Sequence, residues 1–155
     1  MIDVVHLFAN GVFNPNGAIV LAPNHRVVAA DGGARHALSI GLPVHTVVGD
    51  LDSLDSEIVT LLEQRGTSFE RHPTEKSQGD LELALIHAIQ LKPKRIICYA
   101  LQGARLDYSV ANILLLARYA GTGPRLCMFE GSEFGELVRG PLTMELECCI
   151  DQRFS

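Results

Sequence analysis

The sequence predicts a doubly wound α/β fold with a mostly parallel, Rossmann-like sheet, followed by the first strands of an antiparallel β-sandwich. Three observations lead to this prediction. Apolar, strand-like segments alternate with helical segments over residues 1–122, which is typical of a parallel sheet covered on both faces. Glycine and aspartate follow several of these strands, and ligands gather at the carboxyl ends of strands in such sheets. From residue 123 onward short strands follow one another without intervening helices.

The predicted elements of residues 1–122 alternate regularly along the chain. Apolar segments bounded by turn residues predict strands, and capped segments with an apolar stripe predict helices. The strands are predicted at residues 2–8, 26–30, 45–48, 68–71 and 95–101. The helices are predicted at residues 34–40, from residue 53 or 55 to about 65, from Asp80 as the N-cap onward, and at 110–120. We therefore expect one α/β domain over residues 1–122.

Residues 123–155 predict a second, incomplete domain. Segments 125–129, 136–139 and 143–150 are strand-like and are joined by short turns. Apolar and polar side chains alternate in the last of them, which is typical of an antiparallel strand with one buried face. Three strands are too few for an independent sandwich of about 100 residues. We therefore expect these residues to open a β-sandwich without completing it.

The composition excludes several classes of protein. The chain has 155 residues, is 47% hydrophobic and carries a formal net charge of −5, which argues against a nucleic-acid partner. No apolar run approaches the roughly 20 residues that span a membrane, and no basic segment precedes an apolar stretch near Met1. The four cysteines form no C-x-x-C pair, so we expect buried free thiols in a cytoplasmic protein.

Acidic side chains are concentrated in the first half of the chain. Residues 1–80 contain 10 of the 18 acidic residues but only 5 of the 13 basic ones. Asp50 and Asp52, within Gly49-Asp50-Leu51-Asp52-Ser53, follow a predicted strand and can face one site if the chain turns there. Two ionised carboxylates repel each other, which favours a bound cation such as Mg²⁺. The alternative, that this motif simply caps the following helix, stays open on these residues alone.

Two further motifs of the first half add polar groups to the same edge. Asp31-Gly32-Gly33 follows the neighbouring strand, and its glycines permit close approach of the backbone to a ligand. Lys76 is the only lysine among the first 91 residues and precedes a helix, where it could neutralise phosphate oxygens. Asp80 fits a metal ligand or a helix cap. Taken singly, a plain turn, a solvated lysine and a cap are the commoner interpretations.

The last candidate group follows the predicted strand at residues 95–101. Arg105, within Gly103-Ala104-Arg105-Leu106-Asp107, could hold a phosphate or a base that Asp107 orients. The alternative is an exposed ion pair of little energetic weight. Asn112 lies in an apolar helical run, where its amide needs a partner, so core hydrogen bonding and ligand contact both stay open.

In this order the motifs resemble the thiamine pyrophosphokinase family. The residues that carry the resemblance are Asp31-Gly32-Gly33-Ala34, Gly49-Asp50-Leu51-Asp52-Ser53, Lys76 with Asp80-Leu81-Glu82-Leu83-Ala84-Leu85, and Gly103-Ala104-Arg105-Leu106-Asp107 with Ala111-Asn112. The resemblance implies that residues 1–122 form a catalytic, nucleotide-binding domain and that residues 123–155 begin a thiamine-binding β-sandwich. It also implies a homodimer in which both kinds of domain share the thiamine site.

The resemblance further implies the reaction and the roles of the residues. A diphosphoryl group passes from ATP to the hydroxyl of thiamine with Mg²⁺, giving AMP and thiamine diphosphate. The metal ligands would be Asp50, Asp52 and Asp80, with Lys76 neutralising phosphate charge. The remaining contacts to nucleotide or substrate would come from Asp31, Gly32, Gly33, Gly49, Ser53, Gly103, Arg105, Asp107 and Asn112.

Several positions depart from the family pattern and leave other functions open. Ser77 and Gly79 stand where the family typically has an acidic and a hydroxyl residue, and Tyr108 stands where histidine is common. Leu51 and Ala104 replace the usual phenylalanine and glycine. These departures bear on catalytic rate and nucleotide affinity, and they motivate the hypothesis of a non-catalytic Mg-ATP- or thiamine-binding protein. A second alternative is an aspartyl phosphatase with Asp50 as nucleophile, which leaves Asp31, Lys76 and Arg105 without a role.

Overall fold

The computed structural model describes residues 1–15, 19–72 and 79–141. The strands in these ranges are β1 (Val4–Phe8), β2 (His25–Ala30), β3 (Thr46–Gly49), β4 (Ser68–Arg71), β5 (Arg95–Tyr99), β6 (Arg125–Glu130) and β7 (Glu133–Leu137). The helices are α1 (Gly33–Ser39), α2 (Ser56–Gln64), α3 (Asp80–Gln90) and α4 (Leu106–Tyr119). The predicted strand at 143–150 lies outside the described residues.

All seven strands form one sheet in the order β4-β3-β2-β1-β5-β6-β7. The pairs from β4 to β6 are parallel, and β7 is antiparallel to β6. The chain first adds strands on one side of β1 and then returns to add β5 and β6 on the other side. The strand order therefore reverses between β1 and β5, and the crevice at such a reversal is where α/β sheets bind ligands. The doubly wound α/β fold predicted from the sequence is confirmed.

Helices cover both faces of the sheet. Side chains along each central strand point alternately to opposite sides, so both faces carry apolar groups that a helix can bury. Val5 and Leu7 of β1 pack in a buried cluster with α3 and with Leu116 of α4. Phe8 points to the other face and packs with Leu62 of α2 and with α1. Burying one such side chain contributes about 1.5–3 kcal/mol. This double layer of apolar contacts holds the strand ends, and the loops that follow them, in fixed positions.

The last two described strands continue this sheet. Residues 125–129 were expected to open the antiparallel part, but β6 pairs in parallel with β5 over Arg95–Tyr99. The expected antiparallel pairing begins one strand later, between β6 and β7, and β7 begins at Glu133 rather than at residue 136. The apolar run of β6 explains the difference, since Leu126 and Cys127 are both buried and point to opposite faces. The division into domains at residues 122 and 123 stays a prediction.

Two helices begin elsewhere than the sequence pattern predicted. α4 begins at Leu106 rather than at residue 110, and Asp107 lies in its first turn, where a negative charge complements the helix dipole. The N-cap of α3 is Gly79, and Asp80 is the first helical residue instead of the cap. Gly79 takes the extended conformation of a cap residue, which leaves the carboxylate of Asp80 available to the strand ends.

α4 is the longest of the described helices and one of its faces is exposed. Leu106, Val110, Ile113 and Leu114 lie on one side of the helix and are between 37% and 79% exposed. At 14 residues α4 is shorter than the roughly 20 residues of a spanning helix. None of the described helices is long and apolar enough to cross a membrane.

Two cysteines and one histidine are buried in the core of the described residues. Cys98 and Cys127 are buried free thiols, as predicted, whereas Cys148 and Cys149 lie outside the described residues. The histidines were expected at the surface or partly buried, which is wrong for His6. The residue is 4% exposed, and its ring shares hydrogen bonds with the Tyr99 hydroxyl at 3.0 Å and with His25 at 3.1 Å. The aromatic and polar contacts of β1 explain how a histidine fits inside the sheet.

Candidate functional site

Three carboxylates meet at the carboxyl edge of the sheet. Asp31 follows β2, and Asp50 and Asp52 follow the neighbouring strand β3. One oxygen from each carboxyl group lies within 4.8 Å of the other two, and we call these three residues the acidic cluster. The structure therefore brings the Asp-x-Asp motif and the Asp-Gly-Gly motif to one place.

Leu51 orients the two aspartates that flank it. Its backbone lies in the left-handed region, with φ of +68°, and its side chain is buried in the same core cluster as Leu62. With Leu51 turned inward, the N–H of Asp52 donates to Oδ1 of Asp50 at 3.2 Å. Ser53 supports this arrangement, because its hydroxyl donates to Oδ1 of Asp52 at 3.2 Å. Neither carboxylate caps α2, whose N-cap is Asp55.

Asp31 is the most enclosed member of the acidic cluster. The residue is 2% exposed, and among the described residues its Oδ1 is the buried side-chain polar atom that has no hydrogen-bond partner. Its N–H is bound to the carbonyl of Val48 at 2.9 Å, which ties it to the end of β3. A buried, unpaired carboxylate oxygen is unfavourable without a donor or cation. The site is therefore built to receive a positively charged group.

Asp80 extends the negative charge toward α3. Burial raises the pKa of Asp80, and the nearby charges of Asp31, Asp50 and Asp52 raise the same pKa further, while His72 acts in the opposite direction. The four carboxylates that the sequence placed together thus share one electrostatic environment. The geometrically tight group contains Asp31 in place of Asp80, so the assignment of Asp80 as a metal ligand stays a prediction.

Gly49 lets these carboxylates approach one another. Its φ of +146° is a conformation that residues with a side chain rarely adopt. A β-carbon at this position would lie 3.1 Å from Cβ of Asp31 and 3.2 Å from Oδ1 of Asp80. A side chain here would crowd the two aspartates and would also strain the backbone, so both the site and the end of β3 require the glycine.

The loop after β5 is held in place by side chains on both sides. Asn112 is 7% exposed, and its Nδ2 donates to the carbonyl of Leu101 at 2.7 Å. The N–H of Leu101 donates to Oε1 of Glu130 at 2.5 Å, and burial raises the pKa of this glutamate. The N–H of Gly103 donates to the hydroxyl of Ser109 at 3.0 Å. Core hydrogen bonding is thus observed for Asn112, which also lines a cavity next to Asp31.

Arg105 and Asp107 pair with each other at the mouth of the crevice. The Nε and Nη2 atoms of Arg105 donate to the two oxygens of Asp107 at 3.0 and 2.5 Å. The pair is largely exposed, and this contact lowers the pKa of the Asp107 carboxyl. Both side chains line a cavity, so they can exchange their mutual contact for a ligand without entering the core.

The crevice between the strand ends consists of two adjoining cavities. A cavity of about 550 Å³ is lined by the loops after β1 and β5 and by the first turn of α4, including Gly103, Arg105 and Asp107. A cavity of about 430 Å³ contains Asp31, Asp80, Glu82 and Asn112. Asn10, Tyr108 and Ala111 line both. Volumes of this size are typical of small-molecule sites.

Asn10 is a site residue that the sequence analysis missed. A β-carbon on Gly32 would overlap the Asn10 amide, and one on Gly33 would overlap the carbonyl of Phe8. The two glycines therefore let the loop after β2 close against the loop after β1. The available signal was that Asn10 lies two residues after the first strand, which is central in a doubly wound sheet. Lys76, the predicted phosphate contact, lies outside the described residues.

The acidic cluster fits a divalent cation. Carboxylate oxygens are the ligands that hard cations prefer, and Mg²⁺ in particular is commonly held by one or two carboxylates together with phosphate oxygens. The unpaired oxygen of Asp31 and the neighbouring oxygens of Asp50 and Asp52 supply such a donor set. Chemically, this arrangement can bind a cation beside a crevice that is large enough for a small organic molecule.

The fold and the site together define a doubly wound α/β protein with a crevice at the topological switch point between β1 and β5 and an acidic cluster beside it. The family model described as "Thiamin pyrophosphokinase, catalytic domain" matches residues 20–128. The chain belongs to this family. Asp31 lies in the same cluster as Asp50. The structure thus gives Asp31 a place in the site, whereas the phosphatase hypothesis left this residue without a role.

Comparisons with individual proteins agree with the family. The chain is 27% identical over 103 residues to the thiamine pyrophosphokinase of Bacillus subtilis, a match that covers 66% of this chain and 48% of that protein. A crystal structure of the Bacillus subtilis enzyme matches with a TM-score of 0.71 at 24% identity, covering 82% of this chain and 60% of that one. A family protein from Enterococcus faecalis matches with a TM-score of 0.62 at 28% identity, covering 81% and 61%. The chain thus spans about half the length of the curated relative.

Proposed function

We propose that the chain is the catalytic part of a Mg²⁺-dependent thiamine diphosphokinase, which transfers a diphosphoryl group from ATP to thiamine. The observation that carries this proposal is the convergence of Asp31, Asp50 and Asp52, which have one carboxylate oxygen each within 4.8 Å of the others, together with the unpaired, buried Oδ1 of Asp31 and a two-part crevice beside them. Family membership supports the choice of reaction. Phosphoryl-transfer catalysis consists mainly of positioning and charge neutralisation, and both are available here.

In the proposed reaction the thiamine hydroxyl oxygen attacks the β-phosphorus of ATP. The new O–P bond forms as the bond between the β-phosphorus and the bridging oxygen of the α-phosphate breaks, so AMP leaves and the hydroxyl proton is released. When bound, Mg²⁺ would neutralise the phosphate oxygens. Asp50, Asp52 and Asp80 would hold it, with Asp31 adding its unpaired oxygen, and Lys76 would carry positive charge to the phosphates.

The remaining site residues would shape the crevice around the nucleotide and the acceptor. Gly32, Gly33 and Gly49 allow the backbone to approach closely, and Ser53 supports Asp52. Arg105 and Asp107 would contact the ligand at the mouth of the larger cavity, and Asn112 would keep the Leu101–Gly103 loop in place. We further propose that residues 123–155 contribute to the part of the protein that binds thiamine.

The test is release of AMP by the purified chain with ATP, Mg²⁺ and thiamine. The proposal predicts AMP formation that requires all three components and yields an equal amount of thiamine diphosphate. Asp50→Asn is expected to lower turnover at least about 100-fold, since it removes an oxygen charge from the cluster. Asp55→Asn, an exposed carboxylate paired with Arg35, is the matched control. Binding of Mg-ATP without thiamine-dependent AMP would indicate the non-catalytic alternative instead.

We also propose a homodimer acting in the cytoplasm. The exposed apolar side of α4, including Val110 and Leu114, supports association with a second copy, and the buried free thiols of Cys98 and Cys127 support a reducing compartment. Light scattering should give twice the chain mass, and Leu114→Asp should shift the protein toward the monomer. A wild-type protein that stays monomeric at high concentration would contradict the dimer.

A further inference from the structure

Tyr108 lies between the two cavities of the crevice. It lies in the first turn of α4 and lines both the 550 Å³ cavity and the 430 Å³ cavity. Among the described residues that line these two cavities, it is the one with an aromatic side chain. A ligand that extends from one cavity into the other can therefore contact its ring.

The loop that follows β5 packs against the ring of Tyr108. A β-carbon on Gly103 would lie 2.7 Å from Cδ1 and 3.3 Å from Cε1 of Tyr108, so the missing side chain of Gly103 makes room for the ring. The Gly103 N–H is in turn bound to Ser109, and the neighbouring Leu101 is bound to Asn112. Loop and helix are thus hydrogen-bonded to each other, and the side chain of Tyr108 is half-buried and lines both cavities.

The two cavities differ in charge, and this difference assigns them different ligand groups. The smaller cavity contains Asp31, Asp80 and Glu82, and lies beside the acidic cluster. A cation with phosphate groups, or a cationic acceptor, is favoured there. The larger cavity contains Arg105 and Asp107, whose charges cancel in their mutual pair, together with residues of the loops after β1 and β5. A neutral, planar group is favoured in this second cavity.

We infer that Tyr108 is the residue on which the base of the nucleotide stacks, and that it thereby determines how tightly the nucleotide is held. The inference rests on the proposed function. The phosphates of the nucleotide occupy the acidic side, the base crosses into the larger cavity, and the ring of Tyr108 contacts the face of the base between them. The cationic acceptor stays on the acidic side and does not contact the ring. Stacking uses the π-face and not the hydroxyl of the tyrosine.

Binding calorimetry with Mg-ADP, Mg-pyrophosphate and thiamine tests this inference on the full chain. Tyr108→Leu keeps an apolar side chain but removes the π-face, and is expected to weaken Mg-ADP about tenfold. Binding of Mg-pyrophosphate and thiamine should stay within about twofold of wild type, because neither would touch the ring. In turnover, the KM for ATP should rise by a similar factor, with kcat and the KM for thiamine little changed.

Matched variants separate stacking from a general loss of structure. Tyr108→Phe keeps the ring and is expected to bind Mg-ADP like wild type, and Tyr108→His, which keeps a planar ring, should bind more tightly than Tyr108→Leu. Phe69→Leu removes a half-buried ring on β4 that lines neither cavity and is the control. If Tyr108→Leu does not fold, the Mg-ADP affinities of the phenylalanine and histidine variants still test the inference. Loss of Mg-ADP binding in Tyr108→Phe would overturn stacking.

The outcomes distinguish this inference from the proposed function. Equal Mg-ADP affinity in wild type and Tyr108→Leu overturns the stacking role and leaves the enzyme proposal intact. An equal loss of Mg-ADP and Mg-pyrophosphate binding overturns it as well, since the effect would then not belong to the base. A wild-type chain that binds neither Mg-ADP nor Mg-pyrophosphate overturns both proposals.

Discussion

The N–H of Asp52 donates to Oδ1 of Asp50 at 3.2 Å, which folds the Asp-x-Asp motif back on itself. The residue between them, Leu51, has a positive φ and a buried side chain. Non-glycine residues in this region cost about 1–3 kcal/mol and persist where surrounding structure enforces them. The backbone of Leu51 is therefore strained at the point where Asp50 and Asp52 converge with Asp31. Strained backbone beside clustered polar groups is typical of ligand sites.

Asp31→Asn is expected to raise stability without metal and to reduce stabilisation by metal. Asparagine tolerates the left-handed backbone of this position, where φ is +43°, and it removes a charge from among like charges. We expect an increase of about 1 kcal/mol, or about 2–4 °C in Tm. Thermal unfolding with and without MgCl₂, at matched ionic strength, measures both effects. A variant that loses stability in EDTA would contradict the view of Asp31 as an unpaired charge.

Gly49→Ala should destabilise the protein by about 2 kcal/mol or more. The substitution forces a β-carbon against Asp31 and adds an unfavourable backbone conformation. Gly123→Ala is the control, because Gly123 has a φ of +152°, close to that of Gly49, and no atom of the described residues lies within 4 Å of the point that its β-carbon would occupy. Urea denaturation of both variants separates the two contributions. Equal losses would show that the backbone conformation alone matters at Gly49.

His6 makes stability depend on pH below neutrality. Burial, together with the nearby His25, lowers the pKa of His6 from 6.5 to about 4. Between these two values the unfolded chain binds a proton that the folded chain does not, so stability falls as the pH drops from 6.5 toward 4 and levels off below. The loss is about 3 kcal/mol.

His6→Gln tests this dependence, because glutamine can hydrogen-bond but does not titrate. Unfolding free energies of wild type and His6→Gln should converge as the pH falls from 7 to 4, since only wild type loses the contribution of this residue. Identical pH profiles for the two proteins would place the proton uptake elsewhere.

Asn112→Ala should lower stability even when no ligand is present. The substitution leaves the carbonyl of Leu101 without its 2.7 Å hydrogen bond in a buried setting, which costs about 1–3 kcal/mol. Urea unfolding without nucleotide measures this loss, and Mg-ADP calorimetry measures any accompanying loss of affinity. An unchanged unfolding free energy with weaker Mg-ADP binding would instead favour direct ligand contact by Asn112.

Much of the fold follows from local sequence signals, because strands and helices in this chain carry the expected apolar patterns and turn residues. β4 is predicted to the residue, and β2 to within one residue at its start. β6 was harder to place, since an apolar strand pattern does not say which neighbour it pairs with. The start of α4 was also hidden, because Arg105, Leu106 and Asp107 have the polarity of a turn although the last two form the first helical turn.

The site was predictable where a motif is contiguous and less so where it depends on tertiary contacts. Asp50 and Asp52 are neighbours in sequence, so a single turn brings them together. The participation of Asn10 arises only when the loops after β1 and β2 pack against each other. The position of the Tyr108 ring likewise depends on Gly103. The role of this glycine follows only from the packing of α4 against the loop after β5.

Binding of Mn²⁺, followed by electron paramagnetic resonance, tests the acidic cluster most directly. We expect saturable binding by wild type that is displaced by Mg²⁺ and is at least about tenfold weaker in Asp50→Asn, with Asp55→Asn unchanged. Both substitutions remove one negative charge, but only Asp50 belongs to the cluster. Equal Mn²⁺ affinity in wild type and Asp50→Asn, or no saturable binding by wild type, would contradict a divalent cation site formed by Asp31, Asp50 and Asp52.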